Sequence, residues 1–212
     1  MSIHFPTEDN EGNKGTRTRA SASWAVIALG SNQGASMVLL ARAVGCLRRL
    51  SDHPLRVSSP WLTSPVDCPP GSPEFLNAVV LLQPRALETP LACLERLLEI
   101  EQEFGRQPKK VLNEPRPLDL DLVAFGNEVV KNPRLCLPHP RAHQRRFVLA
   151  PLSEIAPDWV LPGQTETVAA LLARLPAGEN AQRLTWPTGP SWVEIKDDRK
   201  APGLSASKSA FK

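Results

Sequence analysis

The chain has 212 residues, 42% of them hydrophobic, with 25 Lys and Arg against 22 Asp and Glu and a formal net charge of +3. That is enough apolar side chain for one core, and a charge that suits small anionic ligands without demanding nucleic acid. Cys46, Cys68, Cys93 and Cys136 are scattered with no Cys-x-x-Cys pair, which argues against a zinc site or disulfide framework. No apolar run reaches the ~18–20 residues of a membrane span, so a cytoplasmic, membrane-free monomer is expected.

Residues 1–22 are polar, lack the apolar segment of a signal peptide and are expected to form a flexible tail. The domain is expected over 23–181, followed by a largely disordered extension over 182–212 in which Trp186 and Trp192 are the candidates for docking. Trp24 to Leu29 reads as a strand, ended by the turn-forming run Gly30-Ser31-Asn32-Gln33-Gly34. Val38, Leu39, Ala41, Val44 and Leu47 recur at helical spacing up to about Leu50. Leu55 to Leu62 reads as a second strand, the proline-rich loop 64–73 follows, and Phe75 to Leu82 reads as a third strand. Thr89 and Pro90 open a helix as N-cap and first residue, with Leu91, Leu94, Leu97, Leu98 and Glu101 along it until Gly105. After the basic loop Arg106 to Lys110, Leu118 to Phe125 reads as a strand, with Gly126-Asn127 as a hairpin turn into Glu128-Val129-Val130. Leu149 to Ile155 and Thr165 to Leu175 suit two further helices. Two strand–helix–strand units with hairpin additions predict an α+β sandwich around a largely antiparallel sheet flanked by helices.

The chemistry concentrates in the strand after Pro115-Arg116-Pro117. Strand side chains alternate, so Asp119 and Asp121 share a face while Leu118, Leu120 and Leu122 take the other. Two adjacent anions repel unless a cation sits between them, and carboxylate pairs of this kind suit Mg²⁺ bound together with substrate phosphates. Arg116, held between two prolines, is aimed to offer a guanidinium fork to those phosphates. Taken alone, the same pattern also fits a solvated outer face. Three other segments are ambiguous in the same way. Glu101 and Arg106 fit either a site or a solvated helix end, where a cation suits the helix's negative pole. Leu137-Pro138-His139-Pro140-Arg141 with Arg145-Arg146-Phe147 fits a phosphate site or an exposed basic loop, and a His among arginines tends to stay neutral. Phe75 and Asn77 share a strand face, giving an aromatic platform and an amide for a flat heteroaromatic ligand, or ordinary core packing. There is neither a Gly-x-x-x-x-Gly-Lys-Ser/Thr loop nor a Gly-x-Gly-x-x-Gly turn, which excludes the commonest nucleotide-binding designs.

Taken in order, the segments Ala28-Leu29-Gly30-Ser31-Asn32-Gln33-Gly34, Thr63-Ser64-Pro65-Val66, Phe75-Leu76-Asn77-Ala78-Val79-Val80, Ile100-Glu101 with Gly105-Arg106, Arg116-Pro117-Leu118-Asp119-Leu120-Asp121 and Leu137-Pro138-His139-Pro140-Arg141 through Phe147 resemble the 6-hydroxymethyl-7,8-dihydropterin pyrophosphokinases of folate biosynthesis, over about residues 24–160. The resemblance implies a ferredoxin-like α/β sandwich and transfer of pyrophosphate from ATP to the pterin, releasing AMP. It implies that Asp119 and Asp121 bridge two Mg²⁺ ions and that Arg106 and Arg116 neutralise charge during attack at the β-phosphorus. Glu101, Lys109, Arg116, His139 and Arg145 would line the ATP site. Asn77 would hydrogen-bond the pterin, Phe75 and Phe147 would sandwich it, and Thr63, Pro65 and Val66 would line the slot's edge. The chain departs from the family's pattern at Pro108, Asn113, Glu114 and Leu98. A non-catalytic pterin or nucleotide sensor, and a partner-binding protein acting through its tails, are the competing readings.

Overall fold

The computed structural model describes residues 24–106, 116–176 and 180–188. The expected tails at 1–22 and beyond 188, with Trp192, and the departures at Pro108, Asn113 and Glu114 lie outside the described residues.

Strand β1 (Ala25–Ser31) is buried along its whole length and leads into helix α1 (Ser36–Leu47), which ends in a 3-10 turn over Arg48–Leu50. Two short strands follow, β2 (Arg56–Val57) and β3 (Trp61–Thr63), then the long β4 (Phe75–Leu82). Helix α2 (Pro90–Glu103) begins as its sequence predicts: the Thr89 hydroxyl accepts from the Ala92 N–H at 3.2 Å and Pro90 fills the first helical position. Beyond its end Gly105 adopts φ +85°, a backbone shape that glycine alone takes without penalty. Strand β5 (Asp119–Phe125), the hairpin pair β6 (Val130–Lys131) and β7 (Cys136–Leu137), helices α3 (Arg146–Ile155) and α4 (Val168–Arg174), and strand β8 (Ala181–Arg183) complete the described chain.

The main sheet runs β5-β1-β4-β3-β8, with β2 also on β4, and its pairings are antiparallel. Each crossover therefore joins two strands that flank an antiparallel third, the split arrangement of the ferredoxin-like sandwich. Alternation divides the strands cleanly. Ile27, Leu29, Leu76, Ala78 and Val80 join one core with Leu40 and Leu47 of α1 and Leu97 of α2. Val26, Val79 and Leu81 face the other way, against Val148, Leu149 and Leu152 of α3 and Leu171 of α4.

Three elements differ from expectation. The strand read over Leu55 to Leu62 is broken at Ser58-Ser59-Pro60, because Ser58 bonds Val79 from both ends: its N–H donates to the Val79 carbonyl at 3.0 Å and its hydroxyl accepts from the Val79 N–H at 2.9 Å. Pro60 then has no N–H to offer a ladder. The turn at Gly126-Asn127 forms, but β6 pairs with β7 and not with β5. Asn132 drives this, its Oδ1 accepting from the N–H groups of Arg134 and Leu135 at 2.9 and 2.8 Å, a side-chain turn that closes a hairpin of its own. Finally, β8 crosses the boundary expected at 181: it pairs with Trp61–Thr63, and Trp186 beyond it donates to the Ser58 carbonyl at 2.9 Å.

Candidate active site

Helix α3 covers only part of its sheet face. Beyond its N-terminus the face stays open as a cavity of about 280 Å³, floored by β1, β4 and β5. In the antiparallel register, Gly30 lies opposite Asp119 and Ala28 opposite Asp121. Two carboxylates thus face two of the smallest side chains, and the space beside them is the cavity. Asn77 on β4 neighbours Gly30 on its other side. A Cβ on Gly30 would sit 3.1 Å from the Asn77 Oδ1, so glycine here is what lets the amide lie flat against β1.

Asp119 Oδ1 is 2.9 Å from Arg116 Nη1 and 3.4 Å from Arg106 Nη1. Arg106 is in turn paired with Glu101, which is fully buried and whose Oε1 accepts from the Leu120 N–H at 2.7 Å. Burial pushes the Glu101 carboxyl up to about 7, although the Leu120 N–H and Arg106 favour its charged form. Glu101 therefore does not line the cavity. The last turn of α2 faces the sheet, so the side chain lies beneath the site and holds Arg106 and β5 from below, neither a solvated helix end nor a wall of the pocket. Asp121 is pushed up to about 6, by burial first and then by the charge of Asp119, with Arg145, Arg116 and Arg106 pulling the other way.

On the far wall, His139 is pushed below its ordinary range by burial and then by Arg145 and Arg141, in keeping with the neutral imidazole expected there. Arg145 lies over the Phe147 ring at 5.1 Å, a cation–π contact. The aromatic end of the cavity has Phe75 and Phe147, with Thr63 Oγ1 accepting from Asn77 Nδ2 at 2.7 Å. That bond commits the amide's N–H₂ partly to Thr63. The Asn77 Oδ1 lies beside Gly30 and has no hydrogen-bond partner among the described residues.

The cavity brings together Thr63, Val66, Phe75, Asn77, Arg106, Arg116, Asp119, Asp121, His139, Arg145 and Phe147. Pro65 is half-buried between lining neighbours, and Lys109 lies outside the described residues. Sequence reasoning gave no role to Ala28, Gly30, Ser64 or Cys68, which also line it, as does Arg141 of the basic segment read as a phosphate site. The first two carried a signal, small residues at the open end of an otherwise bulky strand. Arg141 stands 3.8 Å from Asp67 across the cavity mouth. Leu98 is an exposed residue of α2 and not part of the cavity.

A ferredoxin-like sandwich whose open sheet end gathers paired carboxylates, four arginines and an aromatic slot defines an enzyme of the phosphate-transferring class. Comparison with known proteins makes this specific. The family model of 7,8-dihydro-6-hydroxymethylpterin-pyrophosphokinase (HPPK) matches residues 26–157, and the chain belongs to that family. The 2-amino-4-hydroxy-6-hydroxymethyldihydropteridine pyrophosphokinase of Synechocystis is 37% identical over 166 residues, 78% of this chain and 80% of the relative. Its counterpart in Haemophilus influenzae is 40% identical over 138 residues, 65% of this chain and 84% of the relative. Among solved structures, wild-type Plasmodium falciparum HPPK-DHPS with pteroate matches with a TM-score of 0.60 at 13% identity, over 73% of this chain and 44% of that one. This chain thus spans less than half of that protein, and at such identity what the two share is the fold. Among the described residues no helix is long and apolar enough to cross a membrane.

Proposed function

We propose that the protein transfers the pyrophosphoryl group of ATP to 6-hydroxymethyl-7,8-dihydropterin, giving the pterin diphosphate and AMP, as a step of folate biosynthesis. The observation that carries this is the meeting, in one cavity, of a carboxylate–arginine half and an aromatic–amide half. The pterin hydroxymethyl oxygen attacks the β-phosphorus, the bond from that phosphorus to the α–β bridging oxygen breaks, and AMP leaves with the electron pair while the hydroxyl proton is lost.

In this reading Asn77, braced by Thr63, hydrogen-bonds the pterin, Phe75 and Phe147 stack on it, and Thr63, Pro65 and Val66 form the edge. Arg116 and Arg106 meet the charge that builds on the phosphates, where fixed donors count for most. Glu101 keeps Arg106 aimed, and Arg145 and His139 hold the nucleotide from the opposite wall, a neutral His139 offering a hydrogen bond without charge. Asp119 and Asp121 would hold Mg²⁺, two ions in the full complex. The donor set fits: two hard carboxylates on one strand face, one held well above its ordinary range by burial and the other's charge, a penalty that a cation relieves. When bound, Mg²⁺ neutralises phosphate charge at the reacting end.

The test is incubation with ATP, Mg²⁺ and 6-hydroxymethyl-7,8-dihydropterin. AMP should form only when all three are present, and Asp119→Ala should abolish it. ADP as the nucleotide product, or full turnover by Asp119→Ala, overturns the assignment.

A further inference from the structure

Strand β1 ends at Ser31, and Asn32, the residue after it, has no part in the chemistry above. It is 8% exposed. Its Oδ1 accepts from the Arg116 backbone N–H at 2.9 Å, and its own N–H donates to the Arg116 carbonyl at 3.4 Å. A single residue therefore grips both backbone groups of Arg116 from 84 positions away in sequence. Asp119 holds the guanidinium of the same arginine at 2.9 Å, but it lies only three residues along the same segment. Asp119 is itself anchored in β5 opposite Gly30, so it fixes the tip of the arginine side chain and not the backbone that carries it. Asn32 is what fixes that backbone, beside the end of β1.

The side chain is suited to this job and not to a general one. Its amide N–H₂ is buried with no hydrogen-bond partner among the described residues. Burying such a donor unpaired is unfavourable, a cost that an apolar residue would avoid. A serine hydroxyl would be too short to span to Arg116, and an aspartate would add a further carboxylate beside Asp119 and its two arginines. The loop behind Asn32 is braced separately, Ser31 donating to the Ser36 hydroxyl at 2.9 Å and the Ser36 N–H to the Gly34 carbonyl at 3.0 Å.

We infer that Asn32 is the positioning residue for Arg116: by clamping its backbone to the end of β1 it sets where the guanidinium stands over the reacting phosphates. The inference rests on the pyrophosphoryl-transfer reading, and misplacement of a reacting group by about 1 Å can cost on the order of 10²-fold in rate.

Two measurements on the full chain decide it. In amide hydrogen exchange of the ligand-free protein, Asn32→Ala should speed exchange at Arg116 and leave the β5 amides of Leu120 and Leu122 as protected as before. In steady-state assays of AMP formation, Asn32→Ala should lower kcat by ~10- to 100-fold with the pterin KM within about threefold. In an Arg116→Ala background the same change should cost less than about threefold, because there is no guanidinium left to place. Asn32→Ser, which keeps a small polar turn residue but loses the reach, should repeat the pattern and guards against a folding defect in the alanine variant. Unchanged exchange at Arg116, or losses that multiply in the double variant, overturn the inference. A wild-type protein that makes no AMP would sink the reading of the activity instead, and the exchange comparison would still decide the clamp.

Discussion

Replacing Asp121 with asparagine should make the metal-free protein more stable while removing its activity. The Asp121 carboxyl is pushed from an ordinary 3.8 up to about 6 by burial and by Asp119. The folded state thus holds the proton more tightly than the unfolded chain does. Sign follows directly: with the folded value raised, ionisation works against the fold, so stability is greatest below the unfolded value, falls between about pH 4 and 6, and stays low above that. The gap between 3.8 and about 6 is roughly two pH units, or ~3 kcal/mol at 1.36 kcal/mol per unit. The substituted amide has the same shape as the carboxyl and no charge to ionise. In EDTA at pH 7.5 the variant should melt higher by as much as ~6–12 °C for a chain of this size. The advantage should shrink to about half its free energy by pH 5 and vanish below about pH 4. Glu101, pushed up to about 7, adds a slope of the same sign, but it is present in both proteins and cancels in the difference. Excess Mg²⁺ should raise the melting temperature of the wild type and leave the variant where it was. Scanning calorimetry of both proteins across pH 4–8, with and without Mg²⁺, is the assay. A variant no more stable than wild type at pH 7.5 in EDTA, or an offset that does not vary with pH, refutes the reasoning.

Glu101→Gln keeps an oxygen for the Leu120 N–H, which lies 2.7 Å from Oε1, but gives up the charge that holds Arg106. Its melting temperature should stay within a few degrees of wild type while kcat falls on the order of 10-fold; an unchanged kcat would mean that Arg106 needs no hold from below. Gly30→Ala puts a Cβ 3.1 Å from the Asn77 Oδ1 and should disturb the slot without touching the arginines. The pterin KM should rise about 10-fold with the ATP KM nearly unmoved, and equal rises in both would show that the damage is general.

What the sequence made legible was whatever obeys a local rule. Asp119 and Asp121 could be placed on one face from a period of two, and Thr89-Pro90 marked a helix start that formed as written. An α+β sandwich on a largely antiparallel sheet followed from alternating strand and helix patterns, and its ferredoxin-like order from the family resemblance. The failures came where one side chain far along the chain overruled the local pattern. Ser58 interrupts a run that is apolar enough for one strand because its hydroxyl substitutes for the ladder at Val79. Ala181–Arg183 lacks any strand alternation, yet it pairs with β3. Glu154 accounts for that, accepting from Arg183 at 2.8 Å, from the Ser59 hydroxyl at 2.8 Å and from Trp61 Nε1 at 3.2 Å, and so riveting β8 to both β3 and α3. In the site the same division holds. Phe75, Asn77 and the Asp pair were readable from alternation. The burial of Glu101 beneath Arg106 and the grip of Asn32 on Arg116 were not, because each depends on which residue β5 and its lead-in bring alongside.

Those two hidden contacts explain why the visible ones are arranged as they are. Without ligands the cavity holds more guanidinium than carboxylate, and its acids divide the work. Glu101 is sealed from solvent and serves Arg106 and the Leu120 N–H of β5. Asp119 is shared between Arg106 and Arg116, at 3.4 and 2.9 Å. Asp121, with no direct partner among the described residues, is pushed up by burial first and then by the charge of Asp119. Anything that neutralises Asp119 loosens two arginines at once, but neither is then free to wander, since Glu101 still holds one by its side chain and Asn32 the other by its backbone. The arginines can turn from an internal carboxylate to a phosphate without losing their place. That requirement, redirecting charge without giving up position, is what a site acting on a polyanion has to meet, and it is met by residues that never face the cavity.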